Sequence, residues 1–590
     1  MARLLDSPAL LELVPRAVRA SVRRALFPVA RRGNVRPPPL EAGRRLLLLQ
    51  LDGVSHRRLR WALEHGLLPH LARRLAQGGH RLARLRSGAP SSTPAFQAGL
   101  FYGRSPSVPG YVWYDRARRA EVRMDSGPEV CRVEAQVASN APALLAGGTS
   151  YFSIFAGGAA LRTFSLAGLA DFTLRPLTRG FNAWDHAASW MVHGVTAVNL
   201  AARLGWEITA GLFEGARWTA SLGRLKHEPR FFLHRLLVAA LVRELAVQGL
   251  VVDMARGIPV VYADFVAYDE FAHRRGPDSP LALAHLRSID GALAAIFAAA
   301  EALPEQRYDV YVFSDHGQVA TTPFEASSGL SLPEYLSLAD KGVPLPRDLG
   351  ASAALSLART RGVRAALRRI RSLPAGTRRW ARRALDLAEG RIVGHALGSS
   401  VSDRIATAEA GDLAHVYLLD ADRPQRIEEI RTSHPAVLAA LRESRAVGIV
   451  AVRGGARGFA LFRGNELDLA DPADVARLPH PEPELLAGYL ADLLSLPESG
   501  DLVVQGWRGE GQQPVAYAWE FGSHGGVAPE EIETFMLHPA DAGFDFERVR
   551  RPAELHRFFM ERYRPGLLRD APAPRNDPTA PAPLPEAGRA

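Results

Sequence analysis

The segment Tyr308-Asp309-Val310-Tyr311-Val312-Phe313-Ser314-Asp315-His316-Gly317 constrains the fold more than any other part of the chain. It opens as an apolar run rich in β-branched and aromatic residues, too short for a stable helix. A strand buried on both faces of a parallel sheet reads this way. The run stops at an acid, a histidine and a glycine. In open α/β sheets ligands bind outside the carboxyl ends of the strands, so Asp315 and His316 fall where chemistry is done. Two further segments share this layout: residues 46–51 run into Asp52-Gly53, and residues 259–265 lead to Tyr268-Asp269-Glu270-Phe271-Ala272-His273. One strand ending in Asp is ordinarily a turn or a helix cap. Three strands that bring carboxylates to one rim, two of them with histidine, predict a metal site instead.

Composition narrows what could hold such a metal. The single cysteine, Cys131, excludes an internal disulfide framework and any multi-cysteine zinc or iron–sulfur centre, which leaves His and carboxylate as ligands. The chain is globular in make-up, with 47% hydrophobic and 23% charged residues over 590 positions, and it is long enough to bury a large core. Its formal charge of +10 is concentrated in two places. Residues 1–45 carry ten Arg against Asp6, Glu12 and Glu41, and residues 353–391 carry eleven Arg against Asp386 and Glu389. The rest of the chain is net acidic, and Lys226 and Lys341 are the only lysines, so no specific nucleic-acid surface is expected.

Read in order, residues 1–45 form a basic amphipathic arm with no secretory pattern, suited to peripheral contact with an anionic membrane. The expected location is the cytoplasm or the cytoplasmic face of a membrane. Residues 46–545 read as one catalytic domain of the α/β class, a mostly parallel central sheet flanked by helices. A helix is expected from Arg57 to Gly78. Helical insertions are expected at about 180–250 and, strongly basic, at about 335–395, with a small α+β portion at about 405–500. The uncharged stretch from His186 to Ala202 falls short of the ~20 apolar residues of a membrane span. Residues 546–590 form a C-terminal extension, Pro/Ala-rich and disordered from about 570.

The second informative stretch is Ser91-Ser92-Thr93-Pro94-Ala95-Phe96-Gln97-Ala98-Gly99. A residue before proline favours extended backbone, and proline suits the first position of a helix. Thr93 is therefore expected at an N-cap, its hydroxyl beside the free N–H groups of a first helical turn, where anions bind. Beside a metal, such a hydroxyl can attack phosphorus. An ordinary Thr-Pro cap has the same local sequence.

Asp52-Gly53, Thr93-Pro94-Ala95, Asp269-x-x-x-His273-x-x-Gly276-Pro277, Ser314-Asp315-His316-Gly317 and Gly522-Ser523-His524-Gly525 stand in one order along the chain. In that order they resemble the alkaline phosphatase superfamily, and within it the type I phosphodiesterase/nucleotide pyrophosphatase group. The resemblance runs from about 46 to 540, insertions aside. It implies two adjacent divalent metal ions, zinc by ligand type with manganese also accommodated. Asp269, His273 and His524 would hold one, and Asp52, Asp315 and His316 the other, completed by the Thr93 oxygen. It also implies a two-step reaction on a phosphate-ester substrate, in which Thr93 attacks phosphorus and the phospho-threonine is then hydrolysed.

The match departs from its relatives in two places. The C/S-x-P-x-R motif of sulfatases is absent. The asparagine that nucleotide pyrophosphatases carry after the nucleophile is missing too, and Gly110-Tyr111-Val112-Trp113-Tyr114-Asp115 stands there. Tyr111, Trp113 and Tyr114 are expected either to wall a substrate pocket or to join the core. Three functions follow from these readings. The first is a phosphodiesterase or pyrophosphatase. The second is a phosphomonoesterase or head-group transferase working at a membrane surface. The third is a non-catalytic metal-binding membrane scaffold, which the seven filled site positions argue against.

Overall fold

The computed structural model describes residues 43–163, 243–343 and 398–569, apart from 105, 106, 140, 329, 402, 403 and 446, together with 205 and 209. The basic arm up to residue 42, most of the 180–250 insertion, the basic block at 353–391 and the tail from 570 lie outside the described residues.

The three apolar runs form the middle of a seven-stranded sheet. Strand β1 (Arg45–Leu51) lies between β2 (Val260–Phe265) and β3 (Tyr308–Phe313), parallel to both. Thr149–Tyr151 and Leu161–Thr163 extend the sheet beyond β2, also in parallel. Glu533–Pro539 runs antiparallel beside β3 and carries His80–Arg86 at the far edge. Side chains alternate across a strand, and here both faces are buried. Leu47, Leu49, Val261, Ala263, Val310 and Val312 enter one core, whereas Leu46, Leu48, Val260, Tyr262, Tyr311 and Phe313 enter the other. That two-sided burial explains why these strands lack a polar alternation.

Helices His56–Glu64, Pro69–Ala76, Arg243–Arg256 and Pro280–Glu301 supply residues to the first core. Thr93–Tyr102, Gly127–Val137 and Pro552–Tyr563 supply the second. The helix expected from Arg57 to Gly78 is two helices. Gly66 takes a positive φ of 70°, and Pro69, which cannot donate to a continuing helix, starts the second segment. Among the described residues, Pro280–Glu301 alone is long and apolar enough to cross a membrane. It serves as a core helix, burying Leu286, Ile289, Leu293 and Ile296.

The expected α+β portion contributes to a second seven-stranded sheet, as wide as the first and antiparallel throughout. Of the two large sheets, the mostly parallel arrangement is thus confined to the central one. Short links let the chain double back: Ile405–Ala410 and Leu413–Leu418 are joined through Gly411 and Asp412, and two-residue turns of this kind build antiparallel pairs.

Candidate active site

Strand register sets the site. Gln50 of β1 stands opposite Asp264 of β2 and Phe313 of β3, so the three strands end level with one another. Asp52 follows β1 immediately. Asp315 and His316 follow β3. Beyond β2 the chain turns into helix α1 (Ala267–Arg275), which places Asp269 and His273 one turn apart on the same side. Gly53 has a φ of 76°, and a Cβ there would come within 2.5 Å of Asp269 Oδ1. The Asp-Gly dipeptide is therefore a steric requirement of the site. The Thr93–Tyr102 helix enters from the other core, and His524 arrives on a loop more than 200 residues after β3.

Thr93 departs from expectation by one position. Ser92 is the N-cap, extended at φ −142°, and its carbonyl accepts the Phe96 N–H at 3.0 Å, so Thr93 is the first helical residue. Pro94 then sits at the second position. The hydroxyl still stands at a helix N-terminus, where backbone N–H groups lack intrahelical partners.

All seven expected positions except their assignment to individual ions can be read as distances. His316 Nε2 lies 3.2 Å from Thr93 Oγ1, 3.3 Å from Asp52 Oδ1 and 3.4 Å from Asp315 Oδ2. His273 Nε2 is 3.1 Å from Asp269 Oδ2 and 3.1 Å from His524 Nε2, and His524 Nε2 is 3.8 Å from Asp269 Oδ1. The rings of His316 and His524 stack at 3.7 Å, which joins the two groups. Two sets of potential ligand atoms result: Asp52, Asp315 and His316 in one, Asp269, His316 and His524 in the other.

The hydrogen bonds around the histidines orient them alike. His316 Nδ1 faces the Gly317 carbonyl at 3.2 Å, His524 Nδ1 the Ser91 carbonyl at 2.9 Å, and His273 Nδ1 the Gly522 carbonyl at 3.1 Å. A carbonyl can only accept, so each Nδ1 carries the proton and each Nε2 is turned inward. Burial and neighbouring His524 push His316 well below the ordinary histidine value, so it is neutral. Its Nε2 lone pair then meets carboxylate oxygens that also carry lone pairs. Asp52 Oδ1 and both Asp315 oxygens are buried without a hydrogen-bond donor. Burial and the charge of Asp315 push Asp52 far up, and burial takes Asp315 to about 7.

At Asp269 the opposite holds. Burial would raise it, but His273 and His524 bring it below the usual range. Burial likewise opposes charge on His273, yet Glu520 and Asp269 raise it well above the ordinary value. Carboxylate oxygens buried without hydrogen-bond donors, beside the inward Nε2 atoms of the histidines, are the donor set a divalent cation takes, and the residues fit one.

Two partners of this shell had no signal in the sequence. Glu520 Oε2 lies 3.1 Å from His273 Nδ1, and the Gln318 amide donates to the Asp269 carbonyl at 3.1 Å and to its carboxylate. Glu520 is 247 positions from His273, and nothing local marks it. Of the three aromatic residues, Trp113 and Tyr114 are buried in the second core, Tyr114 with its ring 5.7 Å from that of Tyr417. Tyr111 is half-buried. It packs against the same core, and burial and Asp125 raise its hydroxyl pKa.

The sequence profile of the type I phosphodiesterase/nucleotide pyrophosphatase family matches residues 46–428. The chain belongs to that family. It is accordingly a phosphoric ester hydrolase, of a metal-dependent kind. No curated relative matches it. Among solved structures it is similar to phosphonoacetate hydrolase from Sinorhizobium meliloti 1021 in complex with phosphonoformate. That likeness has 17% identity and a TM-score of 0.41, and covers 89% of this chain and 97% of the other. It is also similar to murine ectonucleotide pyrophosphatase/phosphodiesterase 5, an inactive variant in complex with AMP. Here identity is 10% and the TM-score 0.42, over 90% of this chain and 97% of that one. The family match ends before residue 524, so His524 is tied to the site by its geometry alone.

Proposed function

We propose that the chain hydrolyses phosphodiester or pyrophosphate bonds through a phospho-threonine at Thr93, in a site that holds two divalent cations, zinc by its donor set. The observation that carries this reading is the convergence of Thr93, Asp52 and Asp315 on the inward nitrogen of a neutral His316. Asp52, Asp315 and His316 would hold one cation, and Asp269, His273 and His524 the other. When bound, the cations supply positive charge that lowers the pKa of a neighbouring hydroxyl and stabilises charge on the phosphoryl and leaving oxygens.

The chain's own residues do the rest. Thr93 Oγ1 is 7% exposed as a residue and held at one end of a rigid helix, so its line of attack is fixed by backbone. The Oγ–P bond forms as the bond from phosphorus to the leaving oxygen breaks, and water later cleaves the Oγ–P bond and restores Thr93. Backbone N–H groups in the first turn of the same helix, which lack intrahelical partners, would take the role of the missing asparagine. Glu520 and Gln318 hold His273 and Asp269 in their orientations. Tyr111, more exposed than Trp113 and Tyr114, is the one aromatic of the three that this reading gives to the substrate.

Hydrolysis of bis-p-nitrophenyl phosphate and p-nitrophenyl phosphate, with metal content measured on the same preparation, tests the proposal. A diester preference with about two metals per chain supports it. Preference for the monoester would replace it with a phosphatase, and metal without any turnover of these or of nucleotide and lipid diesters would leave a scaffold.

A further inference from the structure

The hairpin joining Ile405–Ala410 to Leu413–Leu418 carries the antiparallel sheet up to the site. At its tip Gly411, with φ 65°, is so close to the next loop that a Cβ would stand 2.2 Å from the His524 carbonyl oxygen. The following residue, Asp412, is fully buried. Its Oδ1 accepts the Gly526 N–H at 2.9 Å, two residues beyond His524, while Oδ2 has no donor.

Glu531 is also fully buried, and its carboxyl group faces that of Asp412. Its Oε2 lies 3.4 Å from the Ser91 hydroxyl oxygen, which donates to the nearer Gly526 carbonyl at 2.9 Å, and its Oε1 has no donor. Ser91 in turn accepts the Gly525 N–H at 3.0 Å and offers its carbonyl to His524. The Glu531 carbonyl accepts the Gly317 N–H at 2.7 Å, beside His316. Glu531 and Asp412 thus reach the nucleophile turn, the His316 turn and the His524 loop together.

Two ionised carboxylates cannot face each other in a dry interior. Burial raises both, Asp412 to about 6 and Glu531 well above the ordinary value. A single proton between Asp412 Oδ2 and Glu531 Oε1 gives both otherwise unpartnered oxygens a hydrogen bond. We propose that Asp412 and Glu531 share that proton and act as paired positioning residues, fixing the Ser91–Thr93 turn, the His524 loop and the backbone beside His316 relative to one another. The activity part of this inference rests on the phosphoester reading of the site; the structural part does not.

The test is a set of amide variants of the full chain, read by kcat and KM on bis-p-nitrophenyl phosphate, zinc content and Tm. Glu531→Ala is expected to lower kcat and zinc retention by about 10–100-fold, the range for groups that orient ligands, with little change in KM. Glu531→Gln and Asp412→Asn each replace the shared proton by an amide N–H and should recover most of that loss. The double variant Asp412→Asn/Glu531→Gln still lets one amide N–H meet the other amide's carbonyl and should recover it as well. Single amides as damaged as Glu531→Ala would overturn proton sharing. A Glu531→Ala protein that loses only Tm, with kcat and zinc intact, would overturn the positioning role. Should Glu531→Ala not fold, Ser91→Ala decides, with an expected fall in kcat at unchanged KM; an unchanged kcat overturns the proposal. If the wild type hydrolyses no ester, the functional reading falls, and zinc content and Tm still judge the pair.

Discussion

The two seven-stranded sheets of this protein differ in what their edges collect. In the central sheet β3, β1 and β2 run parallel and end level, so three consecutive neighbours deliver Asp315, Asp52 and Asp269 to one place. The second sheet is antiparallel, so each of its edges alternates strand starts with strand ends, and its polar termini are scattered. It reaches the chemistry through one hairpin tip, at Gly411 and Asp412. Strand direction, rather than size or burial, decides which sheet holds reacting groups and which supports them.

The largest test of that division is Thr93→Ala. Hydrolysis should fall by about 10³-fold or more, as for loss of a nucleophile, while metal content is unchanged. Activity left near wild type would remove the helix N-terminus from the chemistry.

Metal removal comes next. Chelation should lower Tm, because Asp52 and Asp315 lose their compensating charge, and added zinc should restore it, by about 4 kcal/mol at a thousandfold excess over Kd. Asp315→Asn should abolish the zinc-dependent gain yet raise the Tm of the metal-free protein, since it removes a buried like charge. A variant less stable than wild type without metal would contradict the crowded-carboxylate picture.

Core truncations sharpen the contrast between sheets. Leu48→Ala, in the middle of β1, should cost about 2–5 kcal/mol and reduce kcat along with stability. Val416→Ala, equally buried in the second sheet, should cost about 1–3 kcal/mol and leave kcat intact. A kcat defect from Val416→Ala would show that the antiparallel sheet does more than support.

The last test concerns Glu409, buried in that second sheet, where burial raises its carboxyl to about 8. An acid with a raised folded-state pKa is most stabilising while protonated in both states, and that stability is lost as pH rises from the unfolded value towards 8. The unfolding free energy read from urea titrations should therefore fall by up to about 1.4 kcal/mol per pH unit across that window, and Glu409→Gln should flatten the slope. An unchanged slope would place Glu409 in contact with water.

The sequence alone carried the residues of the central strands and the order of the groups that follow them, because a strand buried on both faces must be continuously apolar and its first polar residue marks its end. The position of Thr93 near a helix start was legible too, although the Ser92 carbonyl, and not a local preference before Pro94, set the first turn. The antiparallel sheet was less legible. Ile405-Ala406-Thr407-Ala408-Glu409-Ala410 offers small side chains whose burial depends on what packs over them.

Glu520, Gln318, Asp412 and Glu531 could not have been found, because each earns its role by a contact with a residue distant in sequence. Sequence determined which side chains were available to hold a metal. Only the tertiary structure decided that β3, β1 and β2 are neighbours and that a loop ending at His524 closes over them. Strand order and loop docking are set by hydrogen bonds and packing between segments hundreds of residues apart, and no local pattern encodes them.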